Sequence, residues 1–124
     1  MPGADPYLEA RVMTASREQL HLMVLDGALR HCAAAAEALE RGDREAKWLH
    51  LSEARGHVAE LLGGMSAVED EFVDNLRGLF KFILAQLTLA DADEDPRKLT
   101  SAVRILELHR ETWVSVIDSL ASPT

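Results

Sequence analysis

Apolar residues recur at spacings of three and four along most of this chain, which is the periodicity of amphipathic α-helices. No stretch shows the strict alternation of apolar and polar residues that predicts a β-strand. The pattern predicts helices at about 17–41, 44–62, 68–90 and 96–121. Because these helices are long and their connections short, we expect an all-α, antiparallel four-helix bundle over residues 16–121. Residues 1–15 are expected to form a short N-terminal arm or a helical turn, and residues 122–124 a C-terminal tail.

Capping residues mark the predicted helix ends. Ser16 and Gln19 can form a capping box at the start of the first helix, and Gly42 ends that helix. The remaining signals are Asp43 before the second helix, Gly63-Gly64 after it, Ser66 with Glu69 before the third helix, and Asp95 with Pro96 at the start of the fourth. The acidic stretch at 91–95 is interpreted as a solvated connection.

The opening of the first helix is unusual because it is apolar on nearly every side. Between Leu20 and Leu29 the only polar side chains are those of His21 and Asp26. Since a surface helix normally carries a single apolar stripe, this segment indicates either a central helix or a surface that a partner covers. Gly27 lies within the helix, where glycine costs about 1 kcal/mol relative to alanine. We interpret Gly27 as a point of close approach by another helix.

One row of each predicted helix is expected to form the core. The rows are Leu22, Leu25, Leu29, Cys32, Ala36 and Leu39; Trp48, Leu51, Ala54, Val58, Leu61 and Met65; Phe72 or Val73, Leu76, Phe80, Ile83, Leu87 and Ala90; and Leu99, Val103, Leu106, Arg110, Trp113, Ile117 and Leu120. Leu79, Phe82 and Leu89 lie off the row of the third helix. We therefore expect these three residues to form an exposed apolar contact for a partner.

Arg110 is the one charged residue within the predicted core rows. Its guanidinium either reaches solvent along a buried stem or pairs with a carboxylate of a neighbouring helix, for which Asp26 and Asp74 are the candidates. His109 would take the place of Arg110 if the fourth helix were rotated slightly. Such a pair would fix the register of the two helices.

Composition and charge narrow the functional classes. The chain has 124 residues and a formal net charge of −8, which is unfavourable for binding nucleic acid or an anionic membrane surface. No apolar run approaches the roughly 18 residues of a transmembrane helix, so membrane insertion is not expected. Cys32 is the only cysteine, and Pro2, Gly3 and Pro6 argue against a signal peptide. We therefore expect a cytoplasmic protein.

Residues suited to catalysis or metal binding are few. His50 and His57 lie two turns apart on one helix face with glutamates nearby, but the second helix has His-x-x-Glu instead of the Glu-x-x-His of di-iron bundles, and no set of inward glutamates is expected from the other helices. We interpret this face as solvated and predict no metal, no cofactor and no enzymatic activity. Cys32 lies on a core row, where a thiol behaves as a small apolar side chain. His31, His50 and His57 lack the Lys-Gly that follows the histidine of phosphotransfer domains, which counts against that function. A histidine-phosphotransfer-like signalling domain or a helical-bundle adaptor is kept as the alternative function.

Three motifs occur in order along the chain. They are Tyr7-x4-Val12-x-Thr14-Ala15-Ser16-x2-Gln19-Leu20 followed by Leu22-Met23-Val24-Leu25-Asp26-Gly27-Ala28; Asn75-Leu76-x2-Leu79-Phe80-Lys81-Phe82-Ile83; and Arg110-Glu111-Thr112-Trp113. Together they span about residues 7–117, and in this order they resemble the flagellin-specific export chaperones of the FliS family.

The resemblance implies a cytoplasmic chaperone that binds the disordered C-terminal segment of flagellin, prevents premature polymerisation and contacts a component of the flagellar export gate. It also implies that the arm around Tyr7 and Val12 covers part of a binding groove until flagellin displaces it. A homodimer stays open, since a second copy could cover the same apolar surface. The residues expected to bind a partner are Tyr7, Val12, Met13, Leu20, Asp26, Leu79, Phe82, Leu89, Arg110 and Trp113.

Overall fold

The computed structural model describes residue 6 and residues 16–65 and 70–121. In these residues the chain forms four α-helices, α1 (Arg17–Glu40), α2 (Arg44–Gly63), α3 (Glu71–Asp93) and α4 (Pro96–Ala121). Each helix packs against the next, and α4 returns to pack against α1, so the helices close a ring around a common core. The predicted all-α four-helix bundle is confirmed. The predicted arm and C-terminal tail lie outside the described residues, apart from residue 6. Within the part described, no helix has the length and apolarity needed to cross a membrane.

The predicted caps of the first two helices are confirmed. The Ser16 hydroxyl accepts a hydrogen bond from the Gln19 backbone N–H at 3.1 Å, and the Ser16 N–H donates to Gln19 Oε1 at 3.1 Å. Asp43 accepts from the Ala46 N–H at 3.1 Å and starts α2. Between these helices Gly42 adopts a φ of 73°, the left-handed conformation that glycine tolerates best.

The third helix begins later than predicted. Asp70 is its N-cap, because its carboxylate accepts from the N–H groups of Phe72 and Val73 at 2.8 and 3.4 Å. One carboxylate thus satisfies two of the backbone donors that every helix start leaves free. The predicted start at residue 68 is therefore wrong, and the capping box of Ser66 and Glu69 lies outside the described residues.

The core is made by one row of each helix, as expected, with several members exchanged. The buried apolar residues are Leu25, Ala28, Cys32, Ala35, Ala38, Leu51, Ala54, Val58, Leu61, Phe80, Ile83, Leu87, Ala90, Leu99, Ala102 and Leu106. Ala36 and Leu120 are exposed instead of buried, and of the alternatives Phe72 and Val73 it is Val73 that is half-buried while Phe72 is exposed. Ala36 lies one position past the buried Ala35, while Phe72 and Leu120 lie at one end of the bundle, beyond the last buried layer.

The prediction that Trp48 lies in the core is wrong. Its side chain is 56% exposed, whereas Lys47 beside it is only 5% exposed. One helical position is a rotation of about 100°, so the row that contains Lys47 and Leu51 directs Trp48 away from the bundle. The long stem of Lys47 fills the core position, and its ammonium finds oxygen partners beyond it.

These partners belong to the acidic stretch at 91–95, which is only partly solvated: Asp91 and Asp95 are half-buried, whereas residues 92–94 are exposed. Lys47 Nζ donates to the Asp91 carbonyl at 3.0 Å and lies 3.1 Å from Asp91 Oδ1 and 3.2 Å from Glu94 Oε1. Arg44 adds a second contact to Glu94 at 2.8 Å. Burial lowers the pKa of Lys47, but the hydrogen bonds to Asp91 and Glu94 outweigh it and the pKa is raised. α2 is thereby fastened to the end of α3.

Candidate partner-binding surfaces

The predicted pairing of Arg110 is present in the structure. Arg110 Nε donates to Asp26 Oδ1 at 2.6 Å, which joins α4 to α1, whereas Asp74 pairs with Arg77 on its own helix. His109 takes the core position, at 7% exposure, and Arg110 lies partly exposed beside it. The hydrogen bond to Asp26 raises the pKa of Arg110, so the guanidinium keeps its charge. Whether the pair contacts a partner stays a prediction.

Trp113 makes a second link between α4 and α1. Its indole Nε1–H donates to the Glu18 carbonyl at 2.8 Å, while its ring lies 4.1 Å from the ring of His21. The hydrogen bond satisfies the only polar atom of the side chain, which leaves the rest of the ring as apolar surface. Trp113 is thus held by α1 and half-buried.

Two histidines of different helices, His21 and His109, contact each other beside Trp113. No pattern in the sequence predicts this pair. His21 Nε2 of α1 and His109 Nε2 of α4 are 2.9 Å apart, so one imidazole donates to the other. The edge of His109 also packs on Phe80, with ring centroids 5.0 Å apart. Burial, followed by the nearby His109, lowers the pKa of His21 to about 4, and burial lowers the pKa of His109. Both rings are neutral at pH 7 and close the core at this end of the bundle.

Beyond these rings the bundle opens into an apolar cavity of about 720 Å³, which we call the end groove. All four helices contribute to it, and its walls include Leu20, His21, Val24, Leu61, Met65, Phe72, Val73, Leu76 and Trp113. Arg17 and Glu18, the first residues of α1, also line it. The predicted partner residues Leu20 and Trp113 therefore lie together, at the place where the N-terminal arm joins the bundle.

A second cavity, of about 840 Å³, runs between α1 and α4, and we call it the seam groove. Its apolar walls are Leu29, Cys32, Ala33, Ala36, Leu39, Pro96, Leu99 and Val103, and its acidic rim is Glu40, Glu94 and Glu107. The small side chains at 32–36 make the hollow, because they leave space between two helices that larger residues would fill. Burial raises the pKa of Cys32 to about 12, so this thiol is a wall of the groove and not a nucleophile. The alanine run at 33–36 is the signal in the sequence, although Cys32 and Ala36 are predicted there as core residues.

Leu79, Phe82 and Leu89 lie elsewhere, on an exposed face of α3. Their spacings of three and seven put them on one side of the helix. Asp93, at the end of α3, pairs with Lys98 of α4 across the connection between the two helices. Leu108 and Val116 are exposed on α4, two turns apart. We call these five residues the α3–α4 strip.

The predicted partner residues thus fall into separate places. Leu20 and Trp113 line the end groove, Asp26 and Arg110 cross the α1–α4 seam, and the three α3 residues form part of the strip. Tyr7, Val12 and Met13 lie outside the described residues. The prediction of exposed apolar residues on several helices agrees with the structure. Whether the predicted residues bind a partner stays a prediction.

The histidines of α2 are less solvated than we expected. His50 and His57 are half-buried, because His31 of α1 lies against both of them. His31 Nδ1 is 3.1 Å from His50 Nδ1, and its ring stacks on that of His57 at 5.5 Å. This contact joins residues of different helices, and the sequence pattern of α2 alone does not reveal it.

The fold and these surfaces define a class of protein: a helical bundle that presents two apolar grooves, one of them with an acidic rim, as binding proteins for helical or unfolded segments do. The particular family follows from comparison with known proteins. Residues 2–120, nearly the whole chain, match the family described as flagellar protein FliS, and the chain therefore belongs to the FliS family of flagellar export chaperones. No curated protein matches the chain.

Proposed function

We propose that this protein binds the disordered C-terminal segment of flagellin in the cytoplasm, keeps it from polymerising and delivers it to the flagellar export gate. Family membership supports the role of an export chaperone. The observation that carries the finer proposal is the end groove, where four helices leave apolar side chains uncovered around Trp113.

The two grooves suit a segment that folds as it binds. Both lie against α1, with the Asp26–Arg110 pair between them along the α1–α4 seam. A segment that enters the end groove and follows the seam would bury apolar residues in each groove and pass the ion pair between them. Such coupled folding and binding relies on burial of apolar surface to offset the cost of ordering the segment.

Charge favours a partner with basic residues beside its apolar ones. The net charge is −8, and the seam groove is rimmed by Glu40, Glu94 and Glu107. Complementary charges raise the association rate and are screened by salt. The proposal therefore requires slower association at higher salt, with the apolar contribution retained.

The first test is titration calorimetry with the C-terminal segment of flagellin from the same source, about 50 residues long, at several temperatures. We expect 1:1 binding and a large negative change in heat capacity, which is the signature of apolar burial. Light scattering of the free protein at the same concentration tests the alternative that a second copy covers these surfaces. Absence of heat at every temperature would contradict the proposal.

Matched variants test the location. Phe72→Ser removes a side chain of the end groove that is 66% exposed, and Trp48→Ser removes one that is 56% exposed outside both grooves. We expect Phe72→Ser to weaken binding by about tenfold or more, as loss of an aromatic anchor does, and Trp48→Ser to have little effect. Equal effects would show that the end groove is not the site. Phe82→Ser, measured in the same way, tests the strip as a further contact.

The proposed role of the arm concerns residues 1–13. After residue 6 the described residues begin again at Ser16, and the next two residues, Arg17 and Glu18, line the end groove. An arm that covers this groove competes with flagellin, so deletion of residues 1–13 should raise the association rate measured by stopped flow. An unchanged or lower rate would show that the arm does not cover the groove.

A further inference from the structure

Three potential metal ligands converge on the face where α1 meets α2. They are His31 of α1 and Glu53 and His57 of α2, and their ligand atoms all lie within 4.8 Å of one another. Glu53 and His57 are four positions apart, so both side chains lie on one side of α2. His31 supplies the third ligand from the neighbouring helix.

The packing of the helices holds the ring of His57 in this position. A Cβ atom placed on Gly27 would lie 3.2 Å from His57 Nε2 and 3.4 Å from Cε1. The close approach that Gly27 permits is therefore made by the imidazole of His57 against α1. A larger residue at position 27 would displace this ring.

We propose that His31, Glu53 and His57 bind a divalent transition-metal ion, with Zn²⁺ as the best match. Zinc is commonly held by imidazole nitrogens and carboxylate oxygens, with three protein ligands and water in the fourth position. Zn–N distances of about 2.0–2.1 Å require tetrahedral ligands about 3.4 Å apart. The ligand atoms lie within 4.8 Å of one another, so zinc binding requires them to approach each other by at most about 1.4 Å.

His50 acts on this site as a positioning residue. Its Nδ1 is 3.1 Å from His31 Nδ1, and in one of the two arrangements His31 donates this hydrogen bond. The Nε2 atom of His31 then carries the lone pair that a metal requires. A hydrogen bond to the second ring nitrogen orients most metal-bound histidines in this way.

The charge of the cluster also suits a cation, because Glu53 adds a carboxylate to the two imidazoles. The carboxylate of Glu53 would offset the positive charge of the ion.

The site lies outside both grooves, whose walls contain none of the four residues. Metal binding is therefore a property separate from the proposed flagellin binding, and either can fail without the other. A bound ion would link α1 to α2 directly. It would stabilise the folded bundle in proportion to its concentration, because the unfolded chain does not present the three ligands together.

The test uses tag-free, chelator-treated protein titrated with ZnCl₂ by calorimetry, together with thermal melts followed by circular dichroism at rising zinc concentration. We expect one zinc per chain and a melting temperature that rises with zinc. His31→Gln and His57→Gln should each weaken binding by more than about tenfold, and His50→Gln by about tenfold. Melts without zinc show that each variant is folded.

Two controls make the result decisive. Glu53→Gln removes the carboxylate ligand, whereas Glu45→Gln changes the same kind of side chain on α2 outside the cluster. Zinc binding should fall in Glu53→Gln and stay at the wild-type level in Glu45→Gln. The proposal is overturned if wild-type protein takes up no zinc, or if His31→Gln and His57→Gln bind it as wild type does, which would point to the His21–His109 pair instead.

Discussion

Acid should destabilise this bundle well before its carboxylates are protonated, because of the His21–His109 pair. The pKa of His21 is lowered to about 4 in the folded protein, by burial and then by His109, and an unfolded histidine titrates at about 6.5. At pH values between about 4 and 6.5, His21 is protonated in the unfolded chain and neutral in the folded chain. The free energy of unfolding is therefore at its full value above about pH 6.5 and falls as the pH drops towards 4.

The magnitude follows from the size of the shift. Each pKa unit corresponds to about 1.4 kcal/mol, so the full shift of His21 corresponds to about 3 kcal/mol. Since solvent reaches part of the ring, we take about 2 kcal/mol as the expected loss. His109, whose pKa is also lowered by burial, acts in the same direction. A domain of this size is typically stable by about 5–15 kcal/mol, so the loss is a large fraction.

The assay is urea unfolding, followed by circular dichroism at 222 nm, at intervals from pH 8 to pH 4.5. His21→Met removes the proton site and keeps an apolar side chain against Trp113. The free energy of unfolding of the variant should fall less over this range, by about 2 kcal/mol, than that of wild type. Parallel curves for the two proteins would refute the reasoning.

Direct titration provides a check that does not depend on the variant folding. The imidazole resonances of His21, followed by NMR in wild-type protein, should titrate near the value of about 4 given by its burial. A His21 that titrates near 6.5 would show that the ring is solvated and that the acid sensitivity has another cause.

Further predictions concern contacts between helices. Arg110→Met keeps the stem but loses the bond to Asp26, so we expect a small decrease in melting temperature and flagellin affinity several-fold lower; no change in either would make the pair unimportant. Lys47→Ala leaves Asp91 partly buried without its ammonium partner, and urea unfolding should show a loss of about 3 kcal/mol. Gly27→Ala gains about 1 kcal/mol of helix propensity but displaces His57, so the melting temperature should change little while zinc affinity falls.

Local signals in the sequence predicted most of the fold. Ser16, Asp43 and the spacing of apolar residues each depend on neighbours within one turn of helix, and the structure agrees with them. Errors arose where two adjacent residues competed for one position. At positions 47 and 48 the apolar pattern predicts Trp48 as the core residue. Lys47 is buried instead, because Asp91 and Glu94 supply oxygen partners for its ammonium group.

The sites were less predictable, because they depend on contacts between helices. The Arg110–Asp26 pair could be anticipated, since an arginine within an apolar row needs a partner. The pairing of His21 with His109, 88 positions away, has no local signal, because each histidine alone resembles an ordinary polar residue. The same holds for the approach of His31 to the histidines of α2.

The all-round apolar character of α1 now has a structural explanation. α1 is not a central post, because it packs against α2 and α4 in a ring of helices. Yet no residue from 20 to 29 is exposed. The two neighbouring helices cover part of this segment, while Leu20 and Val24 line the end groove and Leu29 lines the seam groove. Core and groove residues therefore share one helix and one periodicity, and the apolar surface in excess of the core is the surface that flagellin would cover under the proposed function.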